Sequence, residues 1–329
     1  MYFTYLKTFD TFVVMGKVLI TDAVHSSIIG TIEKLGFEVT YIPKLEYAEL
    51  DDMIADYEGI IINSKIIMDQ RMIDKAGNLH FIGRLGSGLD IIDLEYAKKK
   101  GIAVLSAPEG NSNAVGEHAL GMLLSLANHL NRADREVRQF KWNREKNRGF
   151  ELEGKKIGII GYGHTGPAFA EKLQGFRAQI YVYDKYRKHI ADKKRSIMET
   201  SLTQIQRECD IISIHLPLTP ETKNLVNQEF FEKCLKRPVV INTSRGKILK
   251  IEDLLQALKT GRISGACLDV FENEKPQTFT EQEKHVYEEL YASDKVLLTP
   301  HIAGWTKESK KKIASTLIAK IKKHLESVA

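Results

Sequence analysis

Only three cysteines occur in 329 residues, and Cys209, Cys234 and Cys267 show no CxxC spacing. Their scarcity excludes a disulfide framework, and each lies in or beside an apolar run such as Cys209-Asp-Ile-Ile, which reads as a buried, reduced thiol. Apolar stretches near 18 residues are also missing, so no membrane-spanning helix is expected. With no lysine-led hydrophobic leader, secretion lacks support and a cytoplasmic location is expected. Charge of one sign is not in excess either: 48 Lys and Arg face 43 Asp and Glu, a net of +5. That surplus is too weak to imply a nucleic-acid partner, though it suits small anionic ligands. No cluster of His, Cys, Asp or Glu has metal-ligand spacing, so no metal is expected. Internal repeats and low-complexity segments are absent.

What is present is an ordinary globular composition, 43% apolar and 28% charged, in a chain long enough for two cores. From Lys17 onward, short β-branched runs alternate with amphipathic stretches. Strands are expected at 17–21, 37–41, 59–63, 81–85 and 103–106. Runs such as Gly59-Ile-Ile-Ile read as strands covered on both faces, which calls for a parallel sheet with helical crossovers. One long helix is expected over 116–139, with Leu120, Leu123, Leu124 and Ala127 on a stripe. A second alternation follows, with strands at 156–160, 179–183, 210–215, 239–242, 266–270 and 296–299. Residues 307–326 repeat apolar positions at Ile313, Leu317, Ile321 and Leu325, an amphipathic helix whose lysines read as a solvated face. The fold class is therefore α/β with two doubly wound parallel-sheet domains. One is a Rossmann domain over 114–304; the other is flavodoxin-like, over 17–113 plus 305–329. Residues 1–16 lack clear periodicity and are read as an extension.

The strand Lys156-Lys-Ile-Gly-Ile-Ile runs straight into Gly161-Tyr-Gly-His-Thr-Gly166, which opens an apolar helix. Gly161 permits the tight turn, Gly163 lets backbone approach a pyrophosphate, and Gly166 lets helix and strand pack closely at a helix N-terminus. Asp184 closes the next strand at a spacing that suits an adenosine ribose. A carboxylate there accepts from ribose hydroxyls and repels a 2′-phosphate, so NAD is the expected cofactor; the neighbouring Lys185, Arg187 and Lys188 would tolerate a phosphate.

A 2-keto acid reduction needs a cation for the carboxylate and ketone, a proton donor and a carboxylate partner. Arg245, His301 and Glu274 supply those groups at strand ends of the second domain, the edge where open α/β sheets bind ligands. In Leu85-Gly-Ser-Gly-Leu-Asp90, Val115-Gly-Glu-His118, the glycine turn, His215-Leu-Pro217, Asn242-Thr-Ser-Arg-Gly246, Leu268-Asp-Val-Phe271 and Thr299-Pro-His-Ile-Ala-Gly304, the chain resembles the D-isomer-specific 2-hydroxyacid dehydrogenase family over nearly its whole length. The resemblance implies that Arg245 binds the substrate carboxylate and carbonyl, that His301 gives and takes the proton, and that Glu274 orients His301. It also implies substrate contacts from the amides of Ser87 and Gly88, with the site in an interdomain cleft. Cofactor roles carried over fall on His164 and Thr165 at the pyrophosphate, Asp184 at the ribose, and Leu216 and Pro217 at the adenine side. Thr243, Ser244 and Asp269 would lie nearer the nicotinamide. His118 and His215 are read as structural. In this chain the Glu-Pro of the family pattern is Glu274-Lys-Pro276, which makes Glu272 a competing carboxylate. The following stretch is longer than the pattern, and a small helix is expected within 277–291.

Gly83-Arg-Leu-Gly-Ser-Gly-Leu-Asp resembles the branch acting on 3-phosphoglycerate, with Arg84, Lys65, Lys141 and Arg144 available for a phosphate. Asn63, however, stands where that branch commonly places an arginine, which keeps glyoxylate or hydroxypyruvate reduction open. A further alternative is an NAD-sensing scaffold or corepressor. A homodimer is expected from the resemblance, with the Leu120 to Leu130 stripe contributing.

Overall fold

Gly59-Ile-Ile-Ile is buried at every position, as a strand sandwiched between helix layers must be. The computed structural model describes residues 16–328. The chain folds as two compact units, Met1–Asn111 with Lys307–Ala329, and Ser112–Thr306. The expected N-terminal extension lies outside the described residues except for Gly16, which already belongs to the first strand.

The first unit holds β1 (Gly16–Ile20), β2 (Phe37–Tyr41), β3 (Gly59–Ile62), β4 (Phe81–Arg84) and β5 (Ala103–Ser106) in the order β2-β1-β3-β4-β5. Every pairing is parallel. One face packs on the helices Ser27–Lys34 and Lys307–Val328, through Ile28, Ile32, Ala314, Leu317 and Ile321. Leu317 and Ile321 are fully buried, as the apolar period of that helix requires. The other face packs on the three helices Tyr47–Met53, Gln70–Lys75 and Leu94–Lys99.

The second unit is a parallel sheet of seven strands, ordered β12-β11-β10-β9-β6-β7-β8. Its strands are β6 (Lys156–Ile160), β7 (Gln179–Tyr183), β8 (Ile197–Glu199), β9 (Ile211–Ile214), β10 (Val239–Asn242), β11 (Gly265–Leu268) and β12 (Val296–Leu298). The chain winds from β6 outward to β8 and then returns to β9 on the other side of β6. That reversal opens a crevice beyond the carboxyl ends of β6 and β9, where doubly wound sheets take ligands. Alternate side chains feed two cores. Ile157, Ile159, Ile180 and Val182 meet Phe169 and Leu123 on one face, while Ile160, Ile212, Ile214 and Val240 meet Ile205, Phe231 and Leu254 on the other.

Three expectations need correction. The helix expected over 116–139 starts earlier and breaks, giving Pro108–Ala127 and Leu130–Arg138, because His129 turns into the left-handed region at φ 53°. The stripe from Leu120 to Ala127 is not a free surface: Met122, Leu123 and Ala127 are buried in the unit's own core. The exposed apolar side chains lie further on, at Leu130, Val137, Phe140 and Trp142. Finally, β8 has no counterpart among the expected strands. Among the described residues, no helix is long and apolar enough to cross a membrane.

Candidate active site

The turn after β6 is shaped by what its glycines exclude. Gly161 sits at φ +92°, and a Cβ on it would come within 2.3 Å of the His215 carbonyl oxygen. A Cβ on Gly166 would come within 2.3 Å of the Gly161 carbonyl, so helix Thr165–Lys172 is packed directly against the turn. Gly163 is different, since a Cβ there meets nothing within 4 Å. Its missing side chain leaves open space beside a helix N-terminus, the place a diphosphate occupies. His164 is the residue before the helix and Thr165 its first.

Below the turn, His215 is buried between Ser213 Oγ (2.8 Å from Nε2) and Thr165 Oγ1 (3.2 Å from Nδ1). Burial pushes its pKa down to about 3, so the ring is a neutral strut that ties the helix start to β9. Asp184, at the end of β7, takes the Tyr162 amide on one oxygen (2.7 Å) and those of Tyr186 and Arg187 on the other (2.9 Å each). Burial works to raise its pKa, but those three amides and the Arg187 charge outweigh it and hold the carboxyl below its ordinary value. The Arg187 guanidinium reaches the Tyr162 and Gly163 carbonyls at 3.0 and 3.2 Å. Leu216 and Pro217 follow β9 directly, Leu216 half-buried and Pro217 exposed. These residues fit a dinucleotide, and Thr243 adds support: its Oγ1 is buried with no hydrogen-bond partner among the described residues.

The groups of the expected chemistry converge at the ends of β10, β11 and β12. Asn242, fully buried, accepts the Ser244 amide (3.0 Å) and donates to the Arg245 carbonyl (3.1 Å), which clamps the turn carrying Arg245. Ser244 Oγ donates to the Ile214 carbonyl at 2.6 Å. Glu274 brings Oε2 to 2.8 Å from His301 Nδ1 and takes the Phe271 amide on Oε1 at 3.2 Å. Burial favours its neutral form, but the His301 hydrogen bond and charge, the Phe271 amide and the Arg245 charge together hold its pKa below the ordinary value. Arg245 thus acts electrostatically on the same carboxylate that holds His301. The competing Glu272 points elsewhere. It accepts the Ile251 amide at 2.7 Å, at the start of the helix Ile251–Lys259, and burial raises its pKa.

His301 itself has φ +57°, a costly conformation for a residue with a Cβ, so something must hold it there. Asp269 does: Oδ1 accepts Thr299 Oγ1 (2.6 Å) and the Ile302 amide (2.8 Å), and Oδ2 accepts the Ala303 amide (2.8 Å). His118, on the helix Pro108–Ala127, adds Nε2 at 3.0 Å from Thr299 Oγ1. Asp269 was expected near the nicotinamide. Its side chain is only 1% exposed, and its oxygens are committed to the His301 turn. Asn242 and Thr299 were missed as functional candidates; the available signal was an Asn and a Thr at strand ends, residues suited to local backbone hydrogen bonds.

Ser87 and Gly88 lie in the first unit, in the half-buried bend after β4. In the same unit Arg84 donates to Asn63 Oδ1 at 3.3 Å, and Lys65 donates to the Pro43 carbonyl at 3.0 Å. Lys141 and Arg144 belong to the other unit and are exposed. Among the described residues, no group of three or more His, Cys, Asp or Glu is placed to hold a metal ion.

Comparison with known proteins adds independent findings. A sequence model described as D-isomer specific 2-hydroxyacid dehydrogenase, NAD binding domain, matches residues 120–303. D-3-phosphoglycerate dehydrogenase of Methanocaldococcus jannaschii is 33% identical over 312 residues, covering 94% of this chain and 58% of that protein. The chain therefore spans little more than half the length of that relative. Among solved structures, D-lactate dehydrogenase from Aquifex aeolicus, complexed with NAD and lactic acid, has a TM-score of 0.81 at 27% identity, covering 94% of this chain and 96% of that one. An acyclic imino acid reductase in complex with NADPH and D-Arg has a TM-score of 0.82 at 25% identity, covering 94% and 97%.

Proposed function

The chain belongs to the D-isomer-specific 2-hydroxyacid dehydrogenase family, and from that premise we propose that it moves a hydride between NAD and C2 of a small D-2-hydroxy acid. The observation that carries this reading is the Glu274–His301 pair at 2.8 Å, with Arg245 acting on the same carboxylate. When bound, the nicotinamide supplies the hydride donor or acceptor. The protein's residues do the rest. Arg245 holds the substrate carboxylate and polarises the C2 carbonyl, a charge that counts for more where water is excluded. His301, oriented through Nδ1, presents Nε2 to the C2 oxygen and delivers a proton in reduction or removes one in oxidation. Glu274 stays ionised, fixes the ring and stabilises the charged imidazolium. Ser87 and Gly88 are assigned to the substrate carboxylate.

For the cofactor, the assigned residues are Gly161, Gly163, His164, Thr165 and Gly166 at the diphosphate, Asp184 at the ribose, Leu216 and Pro217 at the adenine, and Thr243 and Ser244 toward the nicotinamide. Asp269 is reassigned from direct contact to holding the His301 turn. Asp184 favours NAD over NADP, since a 2′-phosphate would meet an ionised carboxylate.

We infer 3-phosphoglycerate as the substrate, supported by the relative of that name at 33% identity and by the Gly83 to Asp90 sequence. A second reading, an unphosphorylated acid such as glyoxylate or hydroxypyruvate, is favoured by Asn63, whose side chain accepts from Arg84. NADH oxidation against phosphohydroxypyruvate, hydroxypyruvate, glyoxylate and pyruvate separates the two. Arg245→Ala and His301→Ala are expected to lower turnover by about a hundredfold or more. Unchanged turnover in either removes the assigned role, and NADH binding without turnover on any acid favours a scaffold. The protein is further proposed to be a cytoplasmic homodimer, its contact built on Phe140 (98% exposed) and Trp142 (75% exposed).

A further inference from the structure

Glu274 is carried by a short loop after β11, and the ties of that loop lead to one side chain. Asn273 donates its amide to the hydroxyl of Tyr287 at 3.2 Å. Tyr287 lies on Glu281–Tyr291, the helix formed by the extra residues between Glu274 and His301, and is 3% exposed. Its ring stacks on Phe279 at 4.6 Å and 13°, and meets Phe271 edge-on at 6.1 Å. The same residue therefore touches both ends of the segment: the Phe271 ring, whose amide holds Glu274 Oε1, and the Asn273 backbone just before Glu274. Asn273 adds side-chain ties to Thr278 Oγ1 (3.2 Å) and Glu283 Oε1 (3.4 Å). On its other side the loop is pressed against the Arg245 turn, because a Cβ on Gly246 would come within 1.8 Å of the Phe271 carbonyl oxygen.

We propose that Tyr287 is a positioning residue for the Glu274–His301 pair, its hydroxyl accepting the Asn273 amide and so setting where the Glu274 carboxylate meets the imidazole. This rests on the functional reading above, in which that pair handles the proton. The phenol is pushed up to about 12 by burial, so it remains a neutral hydroxyl throughout the working range. Removing it leaves the Asn273 amide without its acceptor, and the loop relaxes to find another. A carboxylate displaced by a fraction of an ångström orients His301 poorly, and misplacements of that size are expensive in rate.

The test is Tyr287→Phe in the full chain, followed by initial rates of NADH oxidation with phosphohydroxypyruvate and hydroxypyruvate over roughly pH 3 to 9, a span that includes the Glu274 limb. The expected kcat falls about tenfold while KM for NADH changes by less than about twofold. The acid limb of the kcat profile, where Glu274 takes up a proton, moves up by roughly half a unit as the His301 contact weakens. A purely structural role would lower stability and leave that limb in place. Lys284→Ala, exposed on the same helix, is expected to change neither. If Tyr287→Phe fails to fold, Asn273→Ala removes the neighbouring ties without touching the core and is expected to move the limb in the same direction. Wild-type kcat and an unmoved limb overturn the proposal, as does a fall in kcat with no movement of the limb. Glu274→Gln, measured alongside, separates the two levels. If it also keeps full turnover, the functional reading and this inference fall together; if it loses turnover while Tyr287→Phe is silent, only the inference falls.

Discussion

Gly161 and Gly163 make opposite demands on an added methyl group. At Gly161 it meets the His215 carbonyl and a left-handed backbone, while at Gly163 it enters open space. Gly161→Ala is therefore expected to cost at least about 2 kcal/mol of stability, read as a lower urea midpoint. Gly163→Ala is expected to keep the wild-type midpoint and weaken NADH binding by about tenfold or more, because only the bound diphosphate contests that space; equal affinities by fluorescence titration would remove the diphosphate from this turn. His215 supplies a pH prediction. Its folded pKa, about 3, lies below its ordinary 6.5, so below pH 6.5 the unfolded chain binds a proton that the folded one refuses. The residue's contribution is thus intact above 6.5 and is lost as pH falls from there toward 3, by about 1.4 kcal/mol per unit. His215→Gln is expected to flatten that dependence between pH 7 and 5; an unchanged slope contradicts it. At this scale, Arg245, His301 and the glycine turn were legible as candidates, because their motifs state a chemical need. The sequence favours Glu274 over Glu272 by its offset from Asp269 alone; both carboxylates follow β11 closely, and it is the folded loop that aims Glu274 at His301 and Glu272 at a helix start.

Among the elements, long β-branched runs announced themselves, and β2, β5, β6, β7 and β10 begin and end at the expected residues. The strand β8 did not, because three residues at a sheet edge, with Met198 and Glu199 exposed, carry no apolar alternation. The break at His129 was hidden for the opposite reason: apolar and charged residues continue through it with no Gly or Pro to mark a stop. The helix of the extra residues is stabilised locally by a capping box, in which Thr280 Oγ1 accepts the Glu283 amide (3.2 Å) and Glu283 accepts the Thr280 amide (2.8 Å). Thr280→Ala is expected to cost about 1 kcal/mol, measured by urea unfolding. Because frayed residues at that end sit near Phe279 and Thr278, activity should fall before global stability does.

For the molecule as a whole, Phe140 and Trp142 make the quaternary prediction concrete. Phe140→Asp with Trp142→Arg is expected to convert a dimer into a monomer in light scattering at micromolar concentration, with a near wild-type far-ultraviolet spectrum; a wild-type protein that is already monomeric refutes the dimer. The division into two units was legible in broad outline, because two successive alternations of strands and helices each need their own core. What the pattern could not disclose is how completely the last helix is built into the first sheet. Leu317 and Ile321 pack against Ile61 and Gly83 of strands laid down well over two hundred residues earlier. During synthesis on a ribosome, the five-stranded unit must therefore wait, one face of its sheet covered only by the helix Ser27–Lys34, until residues 307–325 emerge. The seven-stranded unit, whose segments are contiguous, has no such wait. Order of manufacture and order of completion are reversed, and of the two units the one whose strands are made first is the one that needs shelter longest.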